Sequence, residues 1–274
     1  MFKNKEKLLW KIFFFILFLS VIQIIGVLLG VQLDELYPIF KLIFLGTPII
    51  LVILHSFITL SPMRGVFFLF LAATLGFTSE YFGLKYGQFF GTFYTYSPQI
   101  TFFTVPIQVI LYWAAFIYTG YCITNSFLIW LRVRLPNKQL KNGWLLLLTI
   151  LLDGWFVLVI DLFMDPLGVW KGAWTWVNGG PYFGVPIGNF VGWFTVAVLS
   201  SGIFRSLEYF FPKKELKFDK SIFIIPVILY GLVALSLLGM ALQFQMYELG
   251  ILGSLLMVPT VLFNLFLFNK YRSR

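Results

Sequence analysis

The chain contains long apolar runs with almost no charged side chains, and these runs decide what it can fold into. A helix needs about 20 predominantly apolar residues to cross the hydrocarbon core of a bilayer. Eight stretches meet or approach that length: Ile12–Leu33, Leu42–Leu60, Gly65–Leu84, Pro106–Leu131, Trp144–Met164, Val185–Phe204, Ser221–Leu242 and Leu249–Phe268. Lipid offers no partner to a backbone amide, so such runs fold as helices, which satisfy their amides internally. Composition leaves no other home for them: 60% of the residues are hydrophobic and 11% charged, whereas roughly 25% are charged in a soluble domain. The expected fold is all-α, a polytopic membrane helical bundle of about eight spans forming one integral membrane domain over residues 1–274.

Cations set the expected orientation. Lys and Arg concentrate on the cytoplasmic side of membrane proteins. With the N-terminus inside and the spans alternating, only Lys41, Lys85 and Lys171 of the 20 Lys and Arg fall outside. The clusters Lys3–Lys11, Arg132–Lys141, Lys213–Lys220 and Lys270–Arg274 all fall inside, with Arg64 and Arg205. This predicts a multi-pass protein of the cell membrane with both termini cytoplasmic. It also accounts for the net charge of +9 as topology and anionic-lipid contact, not nucleic-acid binding. The basic start followed by an apolar run resembles a signal peptide, but no small-residue cleavage site follows, so the segment is expected to remain as the first span.

Several chemistries are disfavoured. Cys122 and His55 are the lone cysteine and histidine. They cannot supply a closed zinc site, an intramolecular disulfide or a His-rich iron centre. His55 is expected to be a packing residue, and Gln108, Asn125 and Asn189 are candidates for interhelical hydrogen bonds. Neither a Gly-x-Gly-x-x-Gly turn nor a phosphate-binding loop is present, so no nucleotide, flavin, nicotinamide or metal is expected. No Ser–His or Cys–His dyad suggests acyl transfer.

Two connections differ from ordinary aqueous loops. Leu84–Val105 and Asp165–Gly184 are rich in Gly, Tyr, Phe and Trp and poor in charge. They are expected at the interface or folded against the bundle. They also align with each other. Glu80 meets Asp161, Phe82 meets Phe163, Gly87 meets Gly168, Gly91 meets Gly172 and Phe93 meets Trp174. After a one-residue gap Val105-Pro106-Ile107 meets Val185-Pro186-Ile187, and Trp113 meets Trp193. Spans 3–4 and 5–6 thus read as a parallel internal repeat forming a core over residues 65–204, and repeats in membrane proteins often place the functional site at their interface.

The chemistry is expected to rest on acids that interrupt the apolar spans: Glu80, Asp153, Asp161, Asp165 and Glu248. Carboxyl groups at membrane depth are costly and mark function. Glu248 reads more simply as an interface residue. Asp153, Asp161 and Asp165 are spaced by eight and four, which puts all three near one helical face. Asp165-Pro166 is expected to end that helix. Nearby lie Tyr94, Tyr96, Trp174, Trp176, Tyr182 and Trp193, with Tyr81, Tyr86 and Trp170. A buried carboxyl group can keep its proton at neutral pH and act as a general acid, and aromatic faces stabilise cations. Together they suit protonation of an alkene and containment of the carbocation, or the holding of a long polyene. A transporter or lipid-binding protein, with the acids as a proton relay, is the reading from another class.

Asp161-Leu-Phe-Met-Asp165-Pro-Leu-Gly-Val-Trp-Lys-Gly-Ala-Trp174-Thr-Trp176, followed by Tyr182-Phe-Gly-Val-Pro-Ile-Gly-Asn189-Phe-Val-Gly-Trp193, closely resembles the membrane carotenoid biosynthesis proteins. The resemblance is to acyclic-carotenoid 1,2-hydratases of the bisanhydrobacterioruberin hydratase type. The upstream stretch Ser79-Glu80-Tyr-Phe-Gly83 through Gly91-Thr-Phe-Tyr94-Thr-Tyr96 is similar to the same family, and the likeness spans roughly Gly65 to Phe204. It implies water addition across the terminal C1=C2 bond of an acyclic carotenoid, with a hydrophobic polyene and water as substrates and no cofactor. Similarity to flavin-free lycopene cyclases keeps cyclisation as the alternative. Glu80, Asp161, Asp165 and Asp153 are the candidate catalytic acids. Tyr94, Tyr96, Trp174, Trp176, Tyr182, Asn189 and Trp193 are the candidate substrate contacts.

The cation bias yields a direct test. A reporter fused within Lys213–Lys220 should read as cytoplasmic; an external signal would invert the topology.

Overall fold

The structure, a computed structural model, describes residues 2–31, 38–87, 89–132, 143–212 and 218–271. Among these lie eight helices: α1 (Phe2–Leu28), α2 (Pro38–Thr59), α3 (Pro62–Tyr86), α4 (Ile107–Arg132), α5 (Gly143–Trp170), α6 (Ile187–Phe210), α7 (Ile224–Gln243) and α8 (Tyr247–Tyr271). All but α2 are long and apolar enough to cross a membrane, and the apolar stretch of α2, Gly46–Thr59, is shorter. The chain is a polytopic α-helical membrane bundle. Proline opens α2 and α3, where its missing N–H has no intrahelical acceptor to lose. Four short strands, β1 (Tyr94–Tyr96), β2 (Thr101–Phe102), β3 (Val105–Pro106) and β4 (Trp174–Trp176), occupy the two aromatic connections.

The fold divides into two compact units. The first comprises Met1–Phe67, Cys122–Gln139 and Lys213–Arg274. Here α1 packs on α2 and α7, and α7 packs on α8. Its core includes Leu9, Phe13, Leu51, Ile58, Ile222 and Ile225. His55 is fully buried, with Nε2 bonded to the Ile222 carbonyl at 3.1 Å, a packing role as expected. Glu248 is exposed in the first turn of α8, where the helix dipole favours an acid.

The second unit comprises Phe68–Tyr121 and Leu140–Pro212. Its α5 and α6 pack along each other. Contrary to the sequence expectation, α5 does not stop at Asp165 but runs through Pro166 to Trp170. A proline within a helix frees the carbonyl four residues earlier. That carbonyl belongs to Leu162, and Tyr182 donates its hydroxyl to it at 3.1 Å. A side chain outside the helix thus replaces the bond that Pro166 cannot make.

The aromatic connections pair with each other. Strands β1 and β4 are antiparallel in the register Tyr94↔Trp176, Thr95↔Thr175 and Tyr96↔Trp174. The flanking amides continue the pattern: Ser97 N donates to Ala173 O and Val177 N donates to Phe93 O, both at 2.9 Å. Each segment then turns through two residues of positive φ, Phe103 (44°) and Thr104 (73°) in one, Phe183 (49°) and Gly184 (84°) in the other. This is the backbone of tight hairpin turns whose twist matches the strands. The first closes β2 on β3 and the second closes Tyr182 on Val185. Beyond the turns, Trp113 stacks on Trp193 with ring centroids 3.8 Å apart.

In these contacts each residue meets the counterpart of its own partner, the mark of a two-fold relation. The pairs also correct the register expected from sequence. Tyr94-Thr95-Tyr96 corresponds to Trp174-Thr175-Trp176, so Phe93 matches Ala173 and not Trp174. Upstream, Gly87 (φ 68°) ends α3 as Gly172 (φ 69°) follows α5. Gly83 lies against Tyr94 as Gly168 lies against Trp174: a Cβ would strike the Tyr94 hydroxyl, with the Phe90 ring, in one and the indole in the other. Counting back from these pairs matches Glu80 with Asp165, and Asp161 with Gly76.

The cations within 133–142, 213–217 and 272–274 lie outside the described residues. Arg205, expected as an inner-face cation, is instead buried within α6. Its Nε and Nη2 donate to both oxygens of Asp153 at 2.5 and 2.7 Å. Its guanidinium lies 4.5 Å from the ring of Tyr121, whose hydroxyl bonds to Glu208 at 2.6 Å.

Removing one member of a buried ion pair strands the other, at a cost of about 3–5 kcal/mol, whereas replacing both by apolar groups is close to neutral. Arg205→Met should therefore lower the melting temperature of the detergent-solubilised protein. Adding Asp153→Leu should recover most of the loss. Equal melting of the single variant and the parent would refute a structural role for the pair.

Candidate active site

Three of the four acids expected to be catalytic converge on one cavity in the second unit. Glu80 from α3 and Asp161 and Asp165 from α5 line a space of about 50 Å³. Their exposures are 3%, 1% and 3%. Asp161 and Asp165 are one helical turn apart and share a face. Asp153 does not line this cavity. It lies two turns further along α5, about 12 Å from Asp161 at 1.5 Å per residue, and is taken up by Arg205.

Each acid meets a different set of donors. Glu80 Oε2 accepts the hydroxyls of Tyr94 and Tyr96 at 2.6 and 2.8 Å, and Oε1 accepts Trp113 Nε1 at 3.2 Å. Burial first, then the neighbouring Glu80 carboxyl, hold both tyrosine phenols well above their ordinary pKa, so they serve as donors. Asp165 accepts Trp174 Nε1 on Oδ1 and Asn189 Nδ2 on Oδ2, the latter at 2.6 Å. The same Asn189 nitrogen donates to Asp161 Oδ2 at 2.9 Å. An amide nitrogen has two hydrogens, and Asn189 places one on each carboxyl group. Asp161 Oδ1 is buried and has no hydrogen-bond partner among the described residues.

Rings close the cavity. Tyr94, Tyr96, Trp174, Trp176 and Trp193 all line it, as expected from sequence. Tyr94 lies against Trp176 with centroids 4.6 Å apart, and Tyr96 meets Trp174 edge-on at 6.1 Å. These contacts follow from the β1–β4 register, which sets the two aromatic-Thr-aromatic triplets face to face. Tyr182 does not line the cavity. Burial, then the charge of Asp161, push its phenol up to about 12, and its hydroxyl is spent on Leu162.

Sequence reasoning passed over Val109, Tyr112 and Met164 as lining residues and took Gln108 for interhelical glue. Gln108 and Tyr112 are four apart, as are Val109 and Trp113, so one face of α4 supplies them. The spacing from Trp113 could have identified that face. Tyr94 and Tyr96 also line a second, more polar cleft of about 480 Å³ with Lys85, Ser97, Gln99 and Thr101.

Fold and site together define a multi-pass membrane protein with a buried cavity of carboxyl groups and aromatic rings. The chain belongs to the carotenoid biosynthesis protein family, whose model matches residues 36–260. No curated protein and no solved structure matches it. A role in carotenoid biosynthesis follows from the family.

Asn189 is the one donor common to both aspartates, and a hydrogen bond to a charged group contributes about 1.5–3 kcal/mol. Asn189→Leu keeps the volume and removes the amide. It should lower the melting temperature by several degrees, whereas Asn178→Leu, at an exposed bond to Thr92, should not. Equal melting of the two variants would show that the aspartates do not depend on the shared amide.

Proposed function

We propose that the chain is a carotenoid 1,2-hydratase, adding water across the terminal C1=C2 bond of an acyclic carotenoid by acid catalysis through a tertiary carbocation. What carries this is the convergence of Glu80, Asp161 and Asp165 with Tyr94, Trp174 and Trp176 on one buried cavity, in a member of a carotenoid biosynthesis family.

The roles follow from the donors each acid receives. Glu80, which receives three donors, has the surroundings of a carboxylate; in that form it opposes the charge that develops on the substrate. Asp161 and Asp165, bridged by one amide nitrogen, act as a pair holding one proton. Asp161 Oδ1, which no donor among the described residues occupies, delivers that proton to C2. The cation at C1 faces the rings of Tyr94, Trp174 and Trp176. Water bonds to C1, its released proton returns to the aspartate pair, and a tertiary alcohol leaves. The addition is redox-neutral and calls for no electron carrier.

The polyene lies within the bilayer and presents one end to the cavity. The cation bias supports placement in the cell membrane with both termini cytoplasmic.

The test is product formation in membranes of a cell that makes an acyclic carotenoid. The parent chain should convert it to a product heavier by one water. Asp161→Asn should lower the rate by at least about 100-fold, the scale of general acid catalysis. Glu80→Gln should lower it by about 10–100-fold through loss of charge stabilisation. A cyclic product of unchanged mass would replace the hydratase by a cyclase, and an Asp161→Asn variant of undiminished activity would remove Asp161 from the role of acid.

A further inference from the structure

Two residues that line the cavity, Asp161 and Trp176, each hold a buried polar atom with no hydrogen-bond partner among the described residues, Asp161 Oδ1 and Trp176 Nε1. Their residues are 1% and 6% exposed. One atom can accept and the other can only donate. Leaving such groups unpaired in a dry interior costs roughly 1–3 kcal/mol each. Other donors of the wall are taken up: Trp174 Nε1 by Asp165, and the hydroxyls of Tyr94 and Tyr96 by Glu80.

The space they line is about 50 Å³. One water needs about 10–15 Å³ on this measure, with two to four polar partners. The cavity therefore suits one or a few waters and is small for a branched alkene terminus, which must open it further to enter. Tyr94 and Tyr96 also line the second cleft of about 480 Å³, with Lys85, Ser97 and Gln99, so polar groups lie on the far side of those two side chains.

We propose that Trp176 Nε1 and Asp161 Oδ1 form the binding site of the nucleophilic water. The assignment rests on the hydratase function above and specifies its water subsite. The indole N–H donates to the water oxygen and holds it beside the alkene. Asp161 gives its proton to C2 as the π pair of C1=C2 forms the new C–H bond. The water oxygen then bonds to C1, and its proton passes to the Asp161 carboxylate. The acid is restored in the same turnover, so one carboxyl group serves first as acid and then as base. Trp176 is a binding residue for the water, while its ring face, 4.6 Å from Tyr94, remains part of the cation's surroundings.

Trp176→Phe tests this, because it removes the N–H and keeps an aromatic face. In D2O, protonation of the substrate should continue within about threefold. The alcohol rate should fall by about tenfold, the loss of one hydrogen bond. The uncaptured cation should instead lose a proton and return as alkene, so recovered substrate should gain deuterium relative to alcohol by about tenfold. An unchanged ratio would overturn the proposal. Should the variant fail to fold, the parent protein decides. An experimental density map should show a water within 3.5 Å of both atoms, and a dry site would overturn the proposal. If the parent makes no alcohol but the map holds that water, the hydratase function fails while the water site stands.

Discussion

Backbone that leaves a helix at membrane depth must find its hydrogen-bond partners in protein, because lipid has none to give. The two aromatic connections of this chain find them in each other. Tyr94–Tyr96 pairs with Trp174–Trp176, and the amides of Ser97 and Val177 extend the ladder at either end. Strand residues alternate in direction, so this register determines which rings meet. It also brings the hydroxyls of Tyr94 and Tyr96 to Glu80 and the indole of Trp174 to Asp165. A one-residue slip would turn every one of these side chains to the opposite face. Glu80 and Asp165 are thus held in part by donors whose positions depend on the pairing of two three-residue strands.

The scaffold is two-fold in kind, but its acids are not. Glu80 and Asp165 occupy matching places, each beneath an aromatic donor from its own strand. Asp161 matches Gly76, where a side chain would collide with Trp113 at 2.2 Å. One half of the repeat therefore admits an indole where the other admits a carboxyl group. The departure from symmetry gives Asp161, whose Oδ1 has no donor among the described residues. A symmetric site could bind a symmetric charge, whereas successive proton transfer and water capture need groups in different states.

The spans were legible because about 20 apolar residues have few alternatives to a helix, and Glu80, Asp161 and Asp165 stood out because a carboxyl group in such a run carries a large cost. What pattern could not convey was partnership. Asp153 shares the helical face of Asp161, yet a bidentate bond to Arg205 removes it from the cavity, and a separation of 52 positions carries no signal of that pair. Asp165-Pro166 looked like a helix end because the usual remedy for a proline, a donor to the freed carbonyl, comes from Tyr182, 20 residues beyond Leu162. The repeat was visible in Val-Pro-Ile and in the tryptophans. Its register upstream was misplaced because the first copy carries five extra residues between Gly87 and Phe93, and glycines spaced by four align almost as well one step out.

Hydration and cyclisation begin with the same proton and the same cation, so the acid and the rings alone do not separate them. The difference lies in what reaches C1 first. A cyclase must keep water from the cation until a neighbouring double bond folds onto it, which calls for a dry, close-fitting wall. Here two residues lining a space of about 50 Å³ hold a buried donor and a buried acceptor that have no partner among the described residues. Polar atoms of that kind are costly in a dry cavity and are satisfied in a wet one. A site that admits water beside a cation would favour the alcohol over the ring, and this is the physical ground for proposing hydration within the carotenoid biosynthesis protein family.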